Sequence, residues 1–299
     1  MTSLAHSLTR SLAVSAALAL VGGLTSRSAA AACPSPYTSA SCSVCSLDGG
    51  WNLSCDLVPG TDSVGGVLTV RTVSSGGGYV FEAYGNDASS STAYFCCSLD
   101  IAAIGRSITV FGSDHGDTID LQGVDDEGAY ATDVQGNGGN DVIDGTANAD
   151  AGGGGGVALF GGQGADTIRG RAGNDKMDGE DGADTLMGMT GDDTIYGSAG
   201  DDVCQGGPGE DLIESHEGQD QVDGGDGNDT ILAGSQDDVV CGGSDGAGDY
   251  VEGSTGDDTL YVKDNAGCDI DGGPGTDACG PCTSQSACES TLSTYSCPL

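Results

Sequence analysis

Aspartate returns every nine residues through the middle of this chain, at Asp166, Asp175, Asp184, Asp193, Asp202, Asp211, Asp220, Asp229 and Asp238. Carboxylates at a fixed interval can hold cations if the backbone brings them together. They stand in nine consecutive nonapeptides from Gly161 to Cys241, without insertion or deletion: GGQGADTIR, GRAGNDKMD, GEDGADTLM, GMTGDDTIY, GSAGDDVCQ, GGPGEDLIE, SHEGQDQVD, GGDGNDTIL and AGSQDDVVC. Aspartate holds position six. Position eight carries one apolar side chain each time: Ile168, Met177, Leu186, Ile195, Cys204, Ile213, Val222, Ile231 and Val240. A strict period of this length dictates a repeat architecture.

The elements that must position these carboxylates follow from the period. Positions one to six are Gly-rich and end in Asp, which predicts a turn. Positions seven to nine predict a short strand, with position eight facing in and seven and nine facing out. Two nonapeptides make one coil, and successive coils stack as parallel strands about 4.8 Å apart. Each Asp then lies over the Asp of the previous coil. Asp166, Asp184, Asp202, Asp220 and Asp238 form one column, and Asp175, Asp193, Asp211 and Asp229 the other. Stacked carboxylates repel and need neutralising. Oxygen ligands in flexible turns suit calcium rather than zinc or magnesium. An ion held by two Asp and several carbonyls between same-side turns gives seven such pairs within the nine repeats.

The nonapeptide is similar to the hemolysin-type calcium-binding repeat of the repeats-in-toxin family, G-G-x-G-x-D-x-U-x. The resemblance implies a right-handed parallel β-roll with calcium between turns, disordered without the ion. Ser215 and Ala233 replace the first Gly, and Gln236 replaces the fourth, so sites at those turns depart from the family pattern. A generic acidic, Gly-rich linker would explain the composition but not the apolar residue locked to position eight.

Worn copies flank the strict block. GSDHGDTID carries Asp117 and Ile119, and GNGGNDVID carries Asp141 and Ile143. The interval from Asp141 to Asp166 reads as three repeats less two residues, with Gly152–Gly156 looping out. Beyond the block, GGSDGAGDYVE brings Asp249, GSTGDDTLY brings Asp258, and GGPGTDACG brings Asp277 after a worn copy around Ile270. The fold class expected is therefore all-β: a parallel β-roll (solenoid) over 107–280 with Cys-rich caps at both ends. The amino-terminal cap is 33–106, with strands at Val67–Val73 and Tyr79–Tyr84, and the end cap is 281–299. Solenoids need such atypical ends.

The chain has 299 residues, 46 acids against 8 bases and a net charge of −38. That balance argues against nucleic acid and anionic membranes as partners and for divalent cations. With 5% aromatic residues and 55 Gly, a thick conventional core is excluded. Residues 1–32 read as a secretory signal: Arg10, an apolar run from Leu12 to Leu24, then Ala29–Ala32. The run is too short to cross a bilayer, and no other stretch could, so the mature protein is expected to lack a transmembrane helix. Export into an oxidising, calcium-rich medium follows, either secreted or at the cell surface.

Thirteen Cys, an odd number, remain after cleavage. Clustered Cys in an exported chain read as disulfides. Two accounts of the odd one stay open: a lipid anchor on Cys33, or a free thiol at Cys204. The pairs Cys42/Cys45 and Cys279/Cys282 have CxxC spacing but lack a matching second pair and nearby His, which disfavours zinc. Cys279-Gly-Pro-Cys282 spells a thioredoxin-type redox motif, but it sits in a roll repeat without a βαβ unit and reads as a structural bridge.

Catalytic signals are sparse. His6, His115 and His216 are the histidines, and H-E-x-x-H does not occur. No catalytic residue is assigned. The function expected is an exported calcium-binding repeat protein with a structural, matrix or adhesive role, folding on calcium and contacting matrix, polysaccharide or a cell surface. The alternatives are a polysaccharide-modifying enzyme or its accessory module, and a calcium-triggered partner-binding protein.

Overall fold

The computed structural model describes residues 44–47, 53–56, 66–75, 78–87, 94–100, 107–112, 114–123, 131–147, 156–243, 248–262, 268–280, 284–286, 288 and 290–291, with side chains described at 110–112, 114–121, 132–147, 156–243, 248–262, 268–280 and 288. The chain divides into two units, 1–31 and 32–299. The expected signal segment, Cys33, the remaining amino-terminal cysteines and most of the end cap lie outside the residues whose side chains are described.

The strands, in chain order, are β1 (Val44–Leu47), β2 (Leu53–Asp56), β3 (Gly66–Ser75), β4 (Gly78–Asp87), β5 (Tyr94–Asp100), β6 (Ser107–Phe111), β7 (Thr118–Gly123), β8 (Ala131–Gly138), β9 (Val142–Asp144), β10 (Ala158–Gln163), β11 (Thr167–Ala172), β12 (Lys176–Asp181) and β13 (Thr185–Thr190). They continue as β14 (Thr194–Ala199), β15 (Val203–Pro208), β16 (Leu212–Glu217), β17 (Gln221–Asp226), β18 (Thr230–Ser235), β19 (Val239–Gly243), β20 (Tyr250–Thr255), β21 (Thr259–Tyr261), β22 (Asp269–Asp271), β23 (Ala278–Cys279), β24 (Ser284–Ser286) and β25 (Ser290–Thr291). The fold is an all-β parallel solenoid; among the described residues there is no helix, and so none long and apolar enough to cross a membrane.

Two sheets form the roll. From β6 onward the even-numbered strands line up in one and, from β7, the odd-numbered strands in the other, because each turn sends the chain to the opposite sheet. Pairing is parallel and in register: Thr167, Ile168 and Arg169 of β11 face Thr185, Leu186 and Met187 of β13. At the amino end the pairing becomes antiparallel, β1 with β2 and β3 with β4 with β5, and this hairpin unit joins the roll through β2 to β6 and β3 to β7. At the carboxy end β24 and β25 continue both sheets in parallel.

The core is one column of side chains between the sheets. Ile168, Met177, Leu186, Ile195, Cys204, Ile213, Val222, Ile231 and Val240 are all fully buried, as position eight requires. Val110, Ile119, Val134, Ile143, Leu159, Val251, Leu260, Ile270 and Cys279 extend the column at both ends. Burying an aliphatic side chain of this kind contributes about 1.5–3 kcal/mol. With one such residue per strand the core is thin, so the turns carry much of the stability.

The structure corrects the expected turn and one spacing. Strands occupy six residues, positions seven through three, rather than three, because identical turns stack and the ladder runs on: Arg171 and Ala172 pair with Met189 and Thr190. Position two then bends the strand through left-handed backbone, with φ of 87° at Arg171, 82° at Met189 and 71° at His216. Such angles are uncommon for side chains other than Gly. The interval between Asp141 and Asp166 forms one enlarged coil, not three shortened repeats: Ala158 pairs with Asp133 and Thr167 with Val142. The expected loop at Gly152–Gly156 lies mostly outside the described residues.

Candidate metal centre

Every aspartate that the period singled out points into the structure. Asp117, Asp141, Asp166, Asp175, Asp184, Asp193, Asp202, Asp211, Asp220, Asp229, Asp238, Asp249, Asp258 and Asp277 are each at most 2% exposed. Asp is seldom so buried unless something pairs it. The turn achieves this by placing position six just ahead of the strand, below the turn of the neighbouring coil.

Each carboxylate uses its two oxygens differently. Oδ1 accepts the amide N–H of the aspartate one coil earlier: Asp166 N–H donates to Asp184 Oδ1 at 2.7 Å, Asp184 to Asp202 at 2.8 Å, Asp175 to Asp193 at 2.7 Å and Asp193 to Asp211 at 2.7 Å. The two expected columns are thus physically linked. Asp117 and Asp141 join the first across long coils, through bonds of 2.6 Å and 2.7 Å. Asp258 and Asp277 extend it, and Asp249 extends the second. The buried Oδ2 atoms of Asp141, Asp166, Asp184, Asp193, Asp202, Asp211, Asp238 and Asp258 have no hydrogen-bond partner.

Those Oδ2 atoms border small cradles beside the position-one glycines. A methyl group on Gly197 would lie 2.7 Å from Asp202 Oδ2 and 2.9 Å from the Ser215 carbonyl oxygen. Gly161, Gly179, Gly188, Gly206 and Gly253 are placed alike, between the Oδ2 of their own turn and the position-one carbonyl of the next coil. Ser215 and Ala233 bring a side chain into this space. The Ser215 hydroxyl donates to the Ala233 carbonyl at 2.7 Å, so that stretch of the turn is bridged by protein.

Burial pushes these carboxyls far above their ordinary range. Desolvation is the leading cause throughout, backed by neighbouring carboxylates and opposed by the donated amide. Asp141, Asp184, Asp193, Asp202 and Asp211 rise to about 7, and Asp238 to about 8. Asp220, beside Ser215, and Asp258 rise to about 6, and Asp166 rises as well. A column of groups this reluctant to ionise calls for compensating positive charge, and no Lys or Arg occurs between Met177 and Val262.

The donor set fits a hard cation. No three His, Cys, Asp or Glu side chains converge among the described residues, because each turn supplies one inward carboxylate. Any ion held there must take its remaining ligands from backbone carbonyls. Calcium accepts six to eight oxygens in such flexible arrangements, whereas structural zinc prefers four Cys or His. The zinc reading of the Cys279 pair is excluded, since Cys279 is bonded to Cys288 and not to Cys282. Cys241 and Cys268 are also disulfide-bonded, and Cys204 is the free, buried thiol among the described residues.

Sequence reasoning missed a second ladder at position five. Asn174 Oδ1 accepts from Asp192 N–H at 3.0 Å, Asp192 Oδ1 from Glu210 N–H at 3.0 Å, and Asp237 Oδ1 from Asp257 N–H at 2.9 Å. Its signal was the run of Asn, Asp, Glu and Gln just before the repeat aspartate. His216 stacks on Tyr196, with ring centroids 6.0 Å apart, and lies 3.7 Å from Glu214. Its side chain is exposed and lies near enough to the column to lower the Asp220 carboxyl against the larger effect of burial.

Four copies of the RTX calcium-binding nonapeptide repeat are found in the chain, at residues 152–186, 178–213, 215–246 and 244–262. No curated protein and no solved structure matches the chain.

Proposed function

With residues 152–262 identified as RTX calcium-binding repeats, we propose that the whole chain is an exported calcium-binding protein that folds on the ion and serves a structural, matrix or adhesive role. One observation carries the reading: eight buried carboxylate oxygens left without a hydrogen-bond partner along two columns. Leaving such a group unsatisfied costs about 1–3 kcal/mol, and more when it is charged. Eight of them exceed what a domain stable by about 5–15 kcal/mol can absorb.

The ligands we assign are the fourteen column aspartates, from Asp117 to Asp277, with backbone carbonyls of the Gly-rich turns. Bound calcium supplies positive charge that offsets the buried carboxylates and joins one turn to the next. The chain's own part is to aim one oxygen per turn inward and to hold it there through the amide of the previous coil. Ligand binding of this kind becomes folding free energy. Export suits the mechanism, because extracellular calcium modules work at dissociation constants of about 10⁻⁴ to 10⁻³ M. The leader-like residues 1–32 and the acidic composition support that route, with attachment through Cys33 as one form of it.

The test is circular dichroism on the full mature chain at pH 7.5, first with chelator and then with millimolar calcium. A β signal that forms only with calcium supports the proposal. The same β signal under both conditions rejects it.

A further inference from the structure

We infer that calcium clamps both edges of the roll only in its middle, and that both ends are held along one edge and therefore let go first. This rests on reading the aspartates as calcium ligands. The structural basis is that the two columns are unequal. The first runs unbroken through nine aspartates, Asp117, Asp141, Asp166, Asp184, Asp202, Asp220, Asp238, Asp258 and Asp277, linked by amide–carboxylate bonds of 2.6 to 2.9 Å. Among the described residues the second contains only Asp175, Asp193, Asp211, Asp229 and Asp249.

What stops the second column is visible at both ends. At the amino end Val157 stands where an aspartate should be. Its N–H donates to Asp175 Oδ1 at 2.9 Å, and its carbonyl accepts from Lys176 N–H at 2.8 Å, as Asp166 accepts from Thr185 N–H at 2.9 Å. Val157 is 2% exposed and offers no side-chain oxygen. One coil earlier the register places Thr132 there, with a buried hydroxyl that lacks a partner. At the carboxy end the place falls to Cys268, directly before Asp269, whose N–H donates to the Asp249 carbonyl at 2.8 Å. Cys268 is 1% exposed and locked in a disulfide, so it cannot ligate a hard cation.

The consequence is a graded roll. Coils between Asp175 and Asp249 carry carboxylates along both edges. The coils of Asp117 and Asp141, and that of Asp277, carry them along one edge; the opposite edge has no column aspartate there and is held by backbone bonds, the Arg171–Asp144 ion pair at 2.9 Å and the Cys268 disulfide. As free calcium falls, opening starts at the ends and moves inward.

Two measurements on the full mature chain decide this. The first is hydrogen–deuterium exchange by mass spectrometry across a calcium titration. Protection of β6 to β9 and of β21 to β23 is expected to need more calcium than protection of β12 to β18. Loss of protection in every coil at one calcium concentration overturns the inference. The second is Val157→Asp with Val157→Asn as control. The aspartate variant should bind one more calcium per chain by native mass spectrometry, and β10 and β12 should become protected at a calcium concentration lower by roughly threefold or more. The asparagine variant should do neither. A wild-type chain that binds calcium beside a Val157→Asp variant that gains none overturns this inference alone. A wild-type chain that binds no calcium overturns the ligand assignment beneath it as well.

Discussion

Removing calcium while lowering the pH should restore order to the roll. Asp141, Asp184, Asp193, Asp202 and Asp211 sit at about 7 in the fold against 3.8 outside it. A shift of that size favours the neutral carboxyl in the fold by about 4 kcal/mol for each group. The sign follows from proton binding: a carboxyl whose folded value is raised holds its proton in the fold after the unfolded chain has lost it. Stability of the metal-free fold is therefore greatest below about 4, falls as pH rises from there towards the folded values of about 6 to 8, and levels off above them. Within that window each such group contributes about 1.4 kcal/mol per pH unit. Asp220, Asp238 and Asp258, at about 6, 8 and 6, add to the slope. Eight groups together reach on the order of 10 kcal/mol per pH unit, comparable with the whole stability of a domain. The assay is far-UV circular dichroism with thermal melting, on resin-stripped protein from pH 8 to pH 4.5, beside a calcium-saturated series. The metal-free β signal should grow as pH falls, while the calcium-loaded signal stays constant from pH 8 to 6.5. A metal-free signal no larger at pH 5 than at pH 8 would refute the electrostatic account.

Asp202→Asn keeps an oxygen for the Asp184 amide but removes the charge, so the calcium midpoint of folding should rise roughly tenfold, about 1.4 kcal/mol, in a dichroism titration. Gly197→Ala drives a methyl against Asp202 Oδ2 and the Ser215 carbonyl, at 2.7 and 2.9 Å, and should destabilise the calcium-loaded roll by about 1–3 kcal/mol in denaturant melts. Cys204→Ser puts a hydroxyl into the apolar column and should lower stability by about 1–3 kcal/mol, while the wild-type thiol should resist a thiol reagent until the chain is unfolded. Breaking Cys279–Cys288, which closes a short loop at the last coil, should lower stability by about 2–3 kcal/mol, read as earlier exchange of β21 and β23.

The repeat made the middle of the molecule legible. Position eight predicted the buried column from Ile168 to Val240, and position six predicted both rows of aspartates, because period and register coincide wherever the coil has constant length. Legibility failed where they part. Counting nonapeptides across residues 141–166 cannot distinguish a single swollen coil from shortened repeats, since stacking is settled by backbone pairing and not by spacing. The ends of the second column were hidden for the same reason: nothing adjacent to Val157 or Cys268 in sequence marks them as standing in for Asp. Strand length was underestimated because Gly at position one suggested a bend, whereas the left-handed residue lies one place later, at Arg171 or Met189.

The alternation of the chain between two sheets makes length a matter of parity. Strands that pair in the strict block lie two nonapeptides apart, not one. Excising two nonapeptides there would bring matching surfaces together and leave everything downstream on its own side. Excising a single one would transfer each later strand to the opposite wall and each later aspartate to the opposite row. A lineage of such chains can therefore lengthen or shorten in whole threads of the screw, never in halves.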